Sequence, residues 1–145
     1  MIISKPKPNA LLAMGVFIIL MLSLGLYALQ SLLDGGSAWY QYVVVVTALP
    51  LGLILLLRQL LSYKVVYVGD NKVIAKFPFK GSKKESLLKN ITYWKEEVIK
   101  TRSAPFRQLE LKFESYTLKL TIQENTYYEQ ILTYLRRKAT KKEAK

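Results

Sequence analysis

The chain has 145 residues, a formal charge of +12, and neither cysteine nor histidine. Disulfides, thiol nucleophiles, zinc chemistry and histidine-based triads are thereby removed from consideration. The charge is uneven: residues 1–62 carry Lys5, Lys7 and Arg58 against Asp34, a net of +2, whereas residues 63–145 carry 19 basic and nine acidic side chains, a net of +10.

From Ala10 to Leu33 the chain runs 24 residues without a charge. A helix of that length extends about 36 Å, more than the roughly 30 Å hydrocarbon thickness of a bilayer, and satisfies its own backbone groups while crossing. A cleaved signal peptide fits less well, because the apolar run is long and no small-x-small cleavage site precedes Gly35. Trp39 to Leu61 supplies a second span, with Arg58 able to reach back toward headgroups. Pro50 removes an amide donor and crowds the carbonyl four residues earlier, predicting a bend near Val46 to Pro50. Ala48 and Gly52 lie four apart, a spacing that admits close helix packing, either within this hairpin or with another helix. Asp34 to Ala38 forms a short turn, and Trp39, Tyr40 and Tyr42 suit the membrane interface on that side. Lys5, Lys7, Arg58 and Lys64 mark the opposite ends, so the positive-inside tendency predicts both termini in the cytoplasm.

After Ser62 the pattern shifts to strands. Tyr63–Val68 and Lys72–Phe79, joined by Gly69-Asp70-Asn71, read as a hairpin that Pro78 ends or confines to an edge. Glu85 to Thr101 fits a helical stripe through Leu87, Leu88, Ile91, Trp94 and Val98, and also a strand; the strand is preferred. Leu109, Leu111 and Phe113, then Leu118, Leu120 and Ile122, alternate with polar residues across a turn at Ser115-Tyr116, predicting a second hairpin with one buried face. The period then changes: Tyr128, Ile131, Leu132 and Leu135 make a helical stripe, Thr126 and Glu129 have capping-box spacing, and the helix is expected to end near Arg137 before a frayed basic tail.

The segments YKVVYVGDNKVIAKF, SLLKNITYW, LELKFESYTLKLTI and YYEQILTYLRRK resemble the small bacterial pleckstrin-homology-like domains attached to paired membrane helices. The resemblance spans residues 63–138 and implies a curved, partly closed antiparallel β-barrel capped by the C-terminal helix, with roles in assembly and membrane-associated binding. Five strands are legible where that fold has seven. The expected organisation is therefore an α+β membrane protein: a transmembrane helical hairpin over 1–62, with spans at about 10–33 and 39–61, a PH-like β domain over 63–138, and a basic tail over 139–145. The expected setting is the bacterial inner membrane.

Candidate sites are cationic. Lys76, Lys80, Lys83 and Lys84 gather near one turn, and Arg136, Arg137 and Lys138 close the last helix, followed by Lys141, Lys142 and Lys145. Each group suits lipid phosphates, and each is equally explained by solubility or by complementing a helix terminus. Glu96 and Glu97 are adjacent, so in a strand they point to opposite faces and make a poor carboxylate pair. No phosphate-binding glycine loop or nucleophile elbow is present, and no cofactor or metal is expected. The sequence thus predicts a noncatalytic accessory or scaffold subunit whose partners are membrane lipids and other protein subunits, with a homo-oligomer open and nucleic acid not expected. A module sensing anionic headgroups and a small subunit of a transporter or channel are the alternatives.

Overall fold

The computed structural model describes residues 1–144, and it divides into two compact units: Pro8–Ser62, and Met1–Lys7 together with Tyr63 onward.

The first unit is a helical hairpin of α1 (Pro8–Leu33) and α2 (Trp39–Ser62), both long and apolar enough to cross a membrane. Pro8 opens α1 where its missing amide costs nothing. The turn is built by two glycines. Gly35 adopts φ +95°, its N–H and that of Gly36 donate to Leu32 and Ser31, and a side chain at Gly36 would collide with the Ser31 carbonyl. Helix α2 runs unbroken through Pro50, with the Thr47 hydroxyl donating to the Val43 carbonyl at 2.7 Å. Along the seam the backbones approach at glycines: a Cβ on Gly25 would lie 2.7 Å from the Leu49 side chain, and one on Gly52 would lie 2.7 Å from Leu22. Ala48 and Gly52 are the buried residues of α2, so their spacing is used inside the hairpin.

The second unit is β-rich. Strands β1 (Ile2–Ser4), β2 (Val65–Gly69), β3 (Lys72–Phe77) and β4 (Ser82–Leu87) form one antiparallel sheet in that order. Strands β5 (Ile91–Ile99), β6 (Phe106–Phe113) and β7 (Thr117–Thr121) form a second, followed by α3 (Tyr128–Lys138). The β2–β3 turn uses Asp70 and Asn71, both at positive φ, as a two-residue hairpin of right-handed twist requires. Valines 66, 68 and 73 of the first sheet, Trp94, Leu109 and Leu111 of the second, and Ile131, Leu132 and Leu135 of α3 make a single core. Trp94 is fully buried and its indole N–H donates to the Ala139 carbonyl at 2.8 Å.

Several expectations change here. Residues 1–7 do not go with the helical hairpin: Ile2, Ile3 and Ser4 pair with Val68, Tyr67 and Val66, across the whole length of α1 and α2 in sequence. Lys5, Pro6 and Lys7 continue the contact, meeting Thr126, Asn125 and Glu124. Among the described residues seven strands replace the five read from the sequence, the additions being β1 and β4. Residues 91–99 are strand, as preferred. The capping box does not form. Thr126 instead accepts the Lys5 N–H, the residue before α3 is Tyr127 at φ 55°, and Glu129 reaches to Arg107. The tail is not frayed over its described part: Thr140–Lys142 make a turn, Ala144 N–H donates to Trp94 O, and the Lys142 ammonium donates to the Lys89 and Ile91 carbonyls. Lys145 lies outside the described residues.

Candidate interaction surfaces

The lysines of the β3–β4 turn are brought to one end of the first sheet, though not to one face. Lys76 and Lys83 are cross-strand partners, two like charges directly opposite, whereas Lys84 pairs with Ala75 and so projects from the other face. Their ammonium groups stand over aromatic rings: Lys76 over Tyr67 at 4.9 Å, Lys80 over Phe77 at 5.8 Å, Lys84 over Tyr116 at 4.8 Å. Lys83 also meets Glu85 at 2.9 Å, and this hydrogen bond holds the Glu85 carboxyl below its usual pKa, with Lys72 adding to the effect. Lys76, Lys80 and Lys84 make no ion pair among the described residues.

The cations of α3 serve different ends. Arg136 is tied to Glu96 at 3.2 Å. Arg137 borders a shallow cleft of about 360 Å³ with Ile2, Gln130 and Tyr134. Lys138 is exposed on the last turn, and Lys142 is consumed in holding the tail to the start of β5.

Sequence reasoning missed Glu96 as a hub. Its side chain is only 10% exposed, and it accepts from Arg107 at 2.7 Å, from Arg136 and from the Tyr128 hydroxyl at 3.3 Å, while Arg107 also grips Glu129. Burial first, and then the Glu96 charge, push the Tyr128 phenol far above its normal range. The network closes the end of the core where α3 begins, and every charge in it has a partner. Glu97 faces the other way and pairs with Lys95 at 2.5 Å. This is cross-bracing of helix to sheet. Among the described residues no three acidic side chains converge to hold a metal.

Both sheets leave edges open. On β4 the Leu88 N–H donates to Asn71 O, and the antiparallel alternation then turns the backbone groups of Lys83, Glu85 and Leu87 outward, without a partner among the described residues. Charged side chains guard that edge, as is usual for strands that must not pair. Strand β5 differs. Its first half is covered by the C-terminal segment through Trp94 and Ala144, but beyond Lys95 nothing pairs with its free side among the described residues. There Val98 and Ile99 are 52% and 56% exposed, two apolar residues between Glu97 and Lys100.

No protein-family model matches the chain, and no curated protein and no solved structure matches it significantly.

Proposed function

We propose that this protein is a noncatalytic accessory or scaffold subunit, held in a membrane by a two-span hairpin and presenting a PH-like β domain on the cytoplasmic side to another protein subunit. The observation that carries the reading is the pairing of β1 with β2. The strand before α1 and the strand after α2 are neighbours in one sheet, so a hairpin inserted between them has to leave and return on the same side of a bilayer. Two spans meet that demand and one span does not. Lys5, Lys7 and Lys64 at the points of departure and return favour the cytoplasmic side.

Seven strands among the described residues followed by a helix agree with the strand number and the C-terminal helix that the resemblance to PH-like domains implies, which supports that fold for the second unit. The open end of β5, with Val98 and Ile99 bare, is the surface best suited to a partner's strand, because main-chain groups and apolar side chains are offered together.

A photo-crosslinking side chain at position 98, in the full chain in native membranes, tests the assembly claim. One discrete adduct, absent from the same label at the exposed Lys119 of β7, is expected, and its mass separates a different subunit from a second copy of this chain. Labelling at 98 that matches 119, together with a monomer in gentle detergent, would refute it.

A further inference from the structure

The strand directions of the first sheet decide which end of the β unit carries the chain's connections to the helical hairpin. β1 runs from Ile2, opposite Val68, to Ser4, opposite Val66, and then delivers Lys5–Lys7 to α1; β2 starts just after α2, with Val65. Both connections therefore leave from the same end of the sheet. β3 returns toward that end, with Lys76 opposite Val65, so the β3–β4 turn sits beside them. A ring contact agrees: Tyr63, the first residue after α2, lies edge-on to Phe79 at the tip of the turn, with centroids 5.7 Å apart. The opposite end, with the Asp70-Asn71 and Leu88–Asn90 turns, is roughly 13 to 17 Å away by strand length.

What occupies the near end is unusual for a water-facing turn. Phe79 is 57% exposed despite its contact with Tyr63, and Lys76, Lys80 and Lys83 lie within four residues of it along the same turn, two of them like charges placed opposite one another in the ladder. Glu85 neutralises part of Lys83, and Glu124 lies toward Lys64, but Lys76 and Lys80 have no acidic partner among the described residues. An exposed aromatic on a turn whose Lys76 and Lys80 have no acidic partner among the described residues matches a leaflet surface, where the ring enters the headgroup region and the lysines meet phosphates.

We propose that the turn from Lys76 to Lys83 docks the β unit onto an anionic leaflet, with Phe79 as the wedge and Lys76, Lys80 and Lys83 as the phosphate contacts. The proposal rests on the hairpin spanning that bilayer. It leaves the β5 edge, on the other sheet, free for a protein partner. Each lysine is expected to change the ratio of docked to undocked domain about fivefold.

The test uses the full chain, cysteine-free by nature, reconstituted in phosphatidylcholine bilayers with or without phosphatidylglycerol. An environment-sensitive fluorophore is attached through Ser82→Cys near the turn, Lys89→Cys at the far end, or Leu20→Cys on α1. With phosphatidylglycerol present, the label at 82 is expected to shift to the blue and resist aqueous iodide, whereas that at 89 stays exposed. Phe79→Ser, and separately Lys76→Gln with Lys80→Gln, should return the label at 82 to water without moving that at 20. Equal iodide quenching at 82 and 89 in both bilayers, with 20 still protected, overturns the docking and spares the anchor. Protection at 82 that ignores lipid charge and both sets of substitutions also overturns it. Iodide access at 20 overturns the anchor and the docking together.

Discussion

The two units of this protein are inside-out relative to one another in composition. In the helical hairpin four of the five buried residues are small, Gly25, Ala28, Ala48 and Gly52 beside Ile18, while many leucines, Ile19, Ile54 and Phe17 point outward. In the β unit the order is the usual one for water, with Trp94, valines and leucines enclosed and most charges outside. A helix pair in hydrocarbon gains nothing by hiding large apolar side chains from lipid, so close packing at small residues is left to hold it together. A sheet in water is held by burying exactly those large groups. The inversion within one chain supports two different solvents for the two units, which is the physical content of the proposed anchor.

The contrast can be broken most severely at Trp94. Trp94→Ala should cost the β unit about 3–5 kcal/mol, by the cavity and the lost bond to Ala139, and should leave the hairpin intact. Leu20→Ala, which trims an equally apolar but outward-facing residue, should leave the denaturation midpoint of the β unit unchanged. Urea titration in mild micelles, followed by near-ultraviolet circular dichroism, reads both; equal effects would mean the two units share one environment.

Charge sharpens the comparison at smaller magnitude. Glu96→Gln strips the hub of Arg107 and Arg136 and should destabilise the β unit by about 1–2 kcal/mol in the same titration, since the guanidinium groups remain partly hydrated. Glu97→Gln, one residue away in an exposed pair, should have no measurable effect. A loss shared equally by both variants would refute the bracing role.

The smallest expected effect is a pH dependence. Tyr128 keeps its proton in the folded state to a pH well above that of a free phenol, so its contribution is complete below the unfolded value of about 10 and declines as pH rises beyond it. Tyr128→Phe should flatten that part of the stability curve. An unchanged slope would show that other groups dominate the alkaline limb.

The hairpin was largely legible because its signals are local: uncharged runs, the Asp34-Gly35-Gly36 turn, and the Ala48–Gly52 spacing all act within a few residues. The Leu109–Ile122 alternation was legible for the same reason. β1 was not, since three residues beside Lys5 carry no periodicity and their partners follow only after the entire hairpin. β4 was hidden because SKKESL pairs on one side alone and buries little, so nothing demands apolar alternation. Thr126 and Glu129 had the spacing of a cap, yet long-range partners, Lys5 and Arg107, won them. Glu96 gave no signal because Arg107, Tyr128 and Arg136 lie 11, 32 and 40 residues away. Of the lysines, the sequence grouped Lys84 with its neighbours, and strand alternation separates it.

In the proposed arrangement β1 and β2 meet on one side of a bilayer that α1 and α2 cross. Ile3→Cys combined with Tyr67→Cys, at partner positions in the ladder, tests it in sealed inside-out and right-side-out membrane vesicles. A rapid intramolecular disulfide is expected on oxidation and, when reduced, labelling of both thiols by an impermeant maleimide only in the inside-out vesicles. Labelling of the two positions from opposite sides, with no disulfide formed, would contradict it.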